Sequence, residues 1–137
     1  MVNADSDATT PLDDARGCIV RIMALHPDLS ADGLGIGTLA RQADPELAFR
    51  DSRNMLLTDD ACRQFTSAVA WLNQCTRTAN INWRRSSYAL KDEVEGWASH
   101  YVSNGAFIAA AIHLGYKTGR VGDSPNVCLN ISTKGRP

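Results

Sequence analysis

The sequence predicts a mainly α-helical chain of 137 residues that ends in a β-hairpin, an α+β fold. Two observations indicate this fold class. Apolar residues recur at three- and four-residue steps in several segments, which is the period of an amphipathic helix. After Gly115 that period is lost, and two short apolar segments flank the turn sequence GDSP. The composition, 44% hydrophobic and 21% charged, is typical of a globular protein with a core.

The first helix is predicted over PLDDARGCIVRIMALH, residues 11–26. Pro11 suits the first turn of a helix, where Asp13 also interacts favourably with the helix dipole. Ile19 and Ile22 belong to one apolar stripe. The residues before this helix are polar and acidic, so we expect residues 1–10 to be disordered.

Three glycines follow, at positions 33, 35 and 37. Their GxGxG spacing differs from that of nucleotide-binding loops, and no Gly-Lys-Ser/Thr sequence follows. The segment is therefore predicted to be a loop that leads into a short helix, roughly residues 37–43.

The second long helix is predicted to begin at Thr58, a favourable N-cap, and to run to about Gln74. Its apolar residues repeat at helical spacing: Cys62, Phe65, Val69 and Leu72. The sequence TRTANINWRRSS is then interpreted as a polar connector. Ser86 or Ser87 is predicted to cap a further helix over YALKDEVEGWAS.

The last predicted helix, residues 103–114, is apolar nearly all round. Ser103 is expected to cap its start and Gly115 to end it. Such a helix is typical of a core. The residues expected to lie in that core with the second helix are Leu90, Val94, Phe107, Ile108, Ala111 and Ile112. Strands are predicted over residues 116–121 and 126–132.

Three helices followed by a hairpin, over roughly residues 58–132, resemble a winged helix-turn-helix domain. The resemblance implies that the third helix enters the DNA major groove and that the hairpin touches the backbone. Ser103 and Asn104 could reach base edges, but Ala109–Ala111 could not.

The predicted division is a tail at 1–10, a helical segment and loop at 11–57, a winged-helix-like domain at 58–132 and a tail at 133–137.

Charge is distributed unevenly. Residues 1–75 carry six Lys/Arg and eleven Asp/Glu, a net charge of −5, whereas residues 76–137 carry eight and four, a net charge of +4. A basic surface of this kind suits duplex DNA, and it would equally suit an acidic protein. The predicted nucleic-acid-binding residues are Arg77, Trp83, Arg84, Arg85, Ser103, Asn104, Lys117 and Arg120. The alternative interpretation is that Trp83 is a core residue and the arginines are ordinary solvated charges.

The segments SSYALKDEVEGWASHYVSNGAFIAAAIHLGY and SPNVCLNIS carry a second resemblance. Over roughly residues 83–132 the chain is similar to small uncharacterised proteins of proteobacterial phages, plasmids and integrated elements. The resemblance implies roles common on such elements. The predicted function is therefore a non-catalytic nucleic-acid-binding or regulatory module of a mobile genetic element. The alternative is a small protein-interaction module, or an inhibitor that binds a host protein.

Other function classes find little support in the sequence. His26, His100 and His113 are scattered and stand in no catalytic signature, so we do not expect an enzyme. The four cysteines form no CxxC pair, which argues against zinc and favours reduced thiols, and no cofactor is expected. The absence of a long apolar run or a signal-like start predicts a cytoplasmic protein without a membrane partner. The oligomeric state stays open.

Overall fold

A computed structural model of the protein describes residues 10–137. The α+β class is confirmed. The elements of the described range are α1 (Pro11–Leu25), β1 (Leu29–Ser30), β2 (Gly33–Leu34), a short 3-10 helix (Gly37–Arg41), α2 (Pro45–Met55), α3 (Asp59–Asn73), β3 (Arg77–Ser86), α4 (Ser87–Ala98), α5 (Asn104–His113), β4 (Thr118–Arg120) and β5 (Val127–Ile131). The predicted disordered tail lies outside the described residues apart from Thr10, which caps α1 by accepting a hydrogen bond from the Asp13 amide.

The prediction of a hairpin closing the chain was wrong. Strand β5 is the middle strand of a three-stranded antiparallel sheet in the order β3-β5-β4. The tight hairpin of the fold is β1–β2, towards the N-terminus. The third strand, β3, comes from the segment interpreted as a connector. It shows the two-residue alternation of a strand, because polar residues at 78, 80 and 82 alternate with Ala79, Ile81 and Trp83.

Strand β3 pairs irregularly with its neighbour. Its three paired positions are Arg77 with Ile131, Asn82 with Leu129, and Ser86 with Cys128. Between the first two pairs β3 advances five residues while β5 advances two, and between the last two it advances four against one. The surplus residues leave the ladder as bulges. Residues 77–80 are consequently exposed.

Helix α5 lies in the core, as predicted. Its residues 104–111 are all buried, and Phe107 and Ile108 are fully excluded from solvent. The helix packs against α3, α4 and α1. The predicted core residues belong to one cluster, with Val69 and Ile112 at its edge: Phe65, Val69, Leu72, Leu90, Val94, Phe107, Ile108, Ala111 and Ile112.

The N-terminal segment contributes to the same cluster. Ile19 of α1, Leu29 of β1 and Leu56 after α2 are fully buried in it. Core side chains therefore come from both sides of the predicted boundary at residue 58, and a separate domain beginning there stays a prediction. Helix α2 was not predicted, although Asp44 caps it and Pro45 occupies its first turn. Its only buried residue is Ser52, so it lacks the apolar stripe that reveals a helix in sequence.

Candidate nucleic-acid interface

The start of α5 is closed by the protein itself. The amide of Gly105 donates to the Ala31 carbonyl at 2.9 Å, and the amide of Ala106 donates to Ser103 Oγ at 3.0 Å. The amide of Ser103 donates to Gln64 Oε1 at 2.9 Å. The amides of Gly105 and Ala106, two of the donors that could have bound an anion at this helix terminus, are therefore already used.

Asn104 ties three parts of the chain together. Its Nδ2 lies 2.9 Å from both the Asp32 carbonyl and Asn126 Oδ1, and only 5% of the residue is exposed. A Cβ at the next residue, Gly105, would stand 1.8 Å from the Ser30 carbonyl oxygen. Because the β1–β2 hairpin lies directly on this helix start, Ser103 and Asn104 share no surface with the basic residues.

Arg77 is engaged at the other end of α5. Its Nη2 donates to the Leu114 carbonyl at 2.5 Å, where a cation interacts favourably with the helix dipole. Its guanidinium carbon also lies 4.1 Å from the centre of the Tyr116 ring. The contacts of Arg77 are therefore those of a helix cap.

Arg85 is paired with Glu93 of α4. Its Nη2 lies 2.5 Å from Glu93 Oε2, and Arg136 Nε donates to the other oxygen of the same carboxylate at 2.9 Å. One carboxylate thus holds two arginines, and this cluster ties β3, α4 and the C-terminal residues together.

Arg120 lies on the opposite side of the β4–β5 pair from Gly119 and Cys128. The regular β4–β5 register sets Arg120 opposite Val127, a core residue, and Gly119 opposite Cys128. We call the side that carries Gly119 and Cys128 the outer face. Arg120 Nη1 lies 3.8 Å from Asp28 Oδ2, beside a cleft of about 560 Å³ that also includes Arg41. Arg120 therefore does not join the other basic residues.

Trp83 lies on the outer face. A Cβ added to Gly119 would meet its Cη2 at 2.5 Å and the Cδ1 of Ile81 at 3.0 Å. The indole therefore reaches from β3 across β5 to β4, and it helps to cover Cys128. Even so, 61% of Trp83 is exposed. The interpretation of Trp83 as a core residue was wrong.

A groove of about 460 Å³ adjoins the bulged strand, and we call it the β3 groove. It is lined by Thr78, Ala79, Asn80, Asn82 and Arg84 of β3 and by residues 131–134. Its two charged lining residues in the described chain, Arg84 and Lys134, are both basic. Lys134 was outside the predicted site, although its charge was visible in the sequence.

Neither basic residue of the groove is neutralised. Among residues 10–137, no carboxylate pairs with Arg84, Lys134 or Lys117. Lys117 Nζ donates to the Ala79 carbonyl at 2.7 Å, which brings its charge to the bulged segment that lines the groove. Of the predicted residues, Trp83 lies on the outer face, Arg84 lines the β3 groove and Lys117 contacts the Ala79 carbonyl beside it.

The remaining reactive side chains form no further centre. The described residues include no group of three or more His, Cys, Asp or Glu that could hold a metal ion. The four cysteines are free thiols, and burial raises the pKa of Cys75 to about 11. Within residues 10–137, no helix has both the length and the apolar character needed to cross a bilayer.

Protein-family models, curated proteins and solved structures were each compared with the chain, and none of them matches it.

Proposed function

We propose that this chain is a nucleic-acid-binding module that holds phosphates in the β3 groove. The observation that carries this proposal is the pair of unneutralised cations, Arg84 and Lys134, in a groove without an acidic lining residue in the described chain. Phosphate oxygens accept hydrogen bonds from such cations and from neighbouring hydroxyl and amide groups. Ser132, Thr133 and Asn80 supply groups of that kind in the groove.

The charges elsewhere on the surface make the groove distinctive. Six of the fourteen basic side chains pair with carboxylates in the described range. The two other clefts that basic residues line, with Arg41 and with Arg63, each include an aspartate, whereas the β3 groove includes no acidic residue of the described chain. A paired arginine must give up its partner before it binds a phosphate, whereas Arg84 and Lys134 have no carboxylate partner among residues 10–137. The β3 groove is therefore a favourable place for a polyanion.

A winged-helix-like arrangement is part of the proposal. The order α3, α4, α5 followed by β4 and β5 supports it, with the contacts to nucleic acid moved from the third helix to the sheet. Phosphate contacts carry no sequence information, so we expect weak sequence selectivity. A regulatory role on a mobile genetic element is supported by the sequence resemblance over residues 83–132.

Adjacent arginines provide a matched test. We expect Arg84→Ala to lower affinity for a mixed-sequence oligonucleotide and to reduce the slope of log affinity against log salt by about 0.7 to 0.9, the loss of one phosphate contact. Arg85→Ala, which removes an arginine already held by Glu93, should change the slope much less. Fluorescence anisotropy over a salt series measures both slopes.

Two outcomes would count against the proposal. Equal effects of the two variants would remove the distinction between a free and a paired arginine. Failure of the intact protein to bind DNA or RNA at low salt would remove the function itself.

A protein-interaction module is the second candidate, and a different surface favours it. Tyr88 and Tyr101 are 54% and 64% exposed, and the Lys91 ammonium lies 4.6 and 5.2 Å from their ring centres. Tyr101 also lines a cleft of about 280 Å³ with Met55, which is 57% exposed. Exposed aromatic and Met side chains are enriched at protein interfaces. Binding of a partner that survives high salt and is lost in Tyr101→Ala would support this candidate.

A further inference from the structure

We propose that the ligand of this surface is a single strand, with one of its bases stacked on Trp83. The inference rests on the proposed function, because the phosphates of that strand would occupy the β3 groove. Beyond phosphate binding in the groove, a single strand would make a stacking contact between one of its bases and Trp83.

The exposure of Trp83 is the first observation. Trp71, for comparison, is fully buried and packs edge-on against Phe107 with ring centres 6.3 Å apart. Trp83 leaves 61% of its surface in water, on a strand rather than at a loop tip. Single exposed apolar side chains are common on protein surfaces, so the exposure of Trp83 matters because its neighbour Arg84 lines a basic groove.

Gly119 holds the ring in place. Its backbone does not adopt a positive φ, so the fold does not require glycine there for conformation. The requirement is spatial, because any Cβ would stand 2.5 Å from Trp83 Cη2. Ile81 Cδ1 lies 3.0 Å from the same point, so both side chains lie over Gly119. The indole is thus a supported platform whose exposed surface is available to a flat partner.

Trp83 and the groove belong to one stretch of chain. Asn82 and Arg84, the neighbours of Trp83 in sequence, both line the β3 groove. Successive residues of a strand are separated by only about 3.3 Å along its axis. Trp83 lies over Gly119 while Asn82 and Arg84 line the groove, and β3 is an edge strand of its sheet, so a ligand lying along this edge can meet both. A base stacked on Trp83 would therefore place its backbone within reach of Arg84.

The geometry favours a single strand over a duplex. In a duplex both faces of each base are covered by neighbouring bases, and only the base edges are open in the grooves. The usual reader of those edges is a projecting helix, and α5 is buried over residues 104–111. Trp83 rests against Gly119 and does not project as a wedge between base pairs. Unpaired bases stack on aromatic rings with little regard to sequence.

The test compares a short mixed-sequence DNA strand, the same sequence as a duplex, and the same sequence as RNA. The intact protein should bind a single strand more tightly than the duplex, and the DNA-to-RNA ratio identifies which single strand is preferred. Trp83→Ala should weaken single-strand binding by roughly 5- to 150-fold, the usual effect of one lost stacking contact. It should leave the weaker duplex binding almost unchanged.

Two further variants keep the test decisive. Trp83→Phe preserves an aromatic ring and should recover much of the lost affinity, which a merely misfolded Trp83→Ala could not explain. Trp97→Ala removes a tryptophan that is 44% exposed on α4, away from the groove, and should bind like the intact protein.

The outcomes separate the two proposals. Equal affinity for single strand and duplex, with Trp83→Ala unaffected, would overturn base stacking and leave phosphate binding in the groove intact. No binding of any of the three oligonucleotides would overturn both. An equal loss in Trp97→Ala and Trp83→Ala would also overturn stacking at Trp83.

Discussion

Helix α5 has a run of buried residues from 104 to 111, whereas strand β3 begins with four exposed residues, 77–80. The winged-helix resemblance assigns the role of reading nucleic acid to the helix and no role to the connector. In the structure the helix is the centre of the core, and the segment interpreted as a connector carries the exposed Trp83 and Arg84, which has no carboxylate partner in the described part of the chain. Burial, more than the type of element, decides which of the two can meet a ligand.

The physical reason is composition. Helix α5 is apolar around its whole circumference, so it gains most by being covered on every side. Strand β3 has more residues than its partner strand can pair, and the surplus bulges outwards. The two elements should therefore respond oppositely to substitution, with stability sensitive at α5 and binding sensitive at β3.

The largest expected effect is at the centre of α5. Ile108 is fully buried, so Ile108→Ala should lower the free energy of unfolding by about 2–5 kcal/mol through lost burial and a cavity. Denaturant unfolding followed by circular dichroism measures the change. Val20→Ala is the matched control, because Val20 is 49% exposed on α1, and it should stay within about 0.5 kcal/mol. If Ile108→Ala left the free energy of unfolding unchanged, that result would contradict the placement of α5 in the core.

The contact between α5 and the β1–β2 hairpin gives the next effect. Gly105→Ala would set a methyl group 1.8 Å from the Ser30 carbonyl oxygen and should destabilise the fold by roughly 1–3 kcal/mol. Gly96→Ala, in α4, meets no atom within 4 Å and should stabilise by about 0.4–1 kcal/mol. Thermal melting of the two variants compares them directly. If both variants shifted the melting temperature in the same direction, the close approach of the hairpin would be in error.

The smallest expected effect comes from releasing Arg85, which Glu93 holds, so that it can be compared with Arg84. Glu93→Gln removes the charge that holds Arg85 and Arg136 and should make both available to phosphates. We expect tighter oligonucleotide binding and a steeper salt slope, by about 0.7 for each new contact. The same anisotropy series measures it, with Asp60→Gln, a change in the carboxylate paired with Arg63, as control. Unchanged binding would mean that Arg85 cannot reach the ligand even when it is released.

Much of the helical fold could be predicted because its signals are local. Thr58 and Ser103 cap α3 and α5 as expected, and Gly115 ends α5 with a φ of +81°. The sheet was harder, because β3 depends on partners about fifty residues away, such as Ile131 for Arg77. In the sequence, the arginines of β3 also interrupt the alternation of polar and apolar residues that indicates a strand.

The candidate site was predictable only in part. The charges of Arg84 and Lys117 and the aromatic ring of Trp83 were visible in the sequence, and all three residues belong to β3 or contact it. Arg85 was equally basic in sequence, and only its contact with Glu93 at 2.5 Å distinguishes it. Ion pairs between distant residues leave no signal in a single sequence, so the sequence could not separate free from neutralised cations.

Amide chemical-shift mapping tests most directly which of the two regions meets nucleic acid. A short single-stranded oligonucleotide would be titrated into the isotope-labelled protein at low salt. The largest shifts should fall in residues 78–84 and 132–134 and on the indole N–H of Trp83, while α5 stays unchanged. Shifts concentrated at the start of α5, or around Tyr101 and Met55, would contradict the assignment of binding to β3.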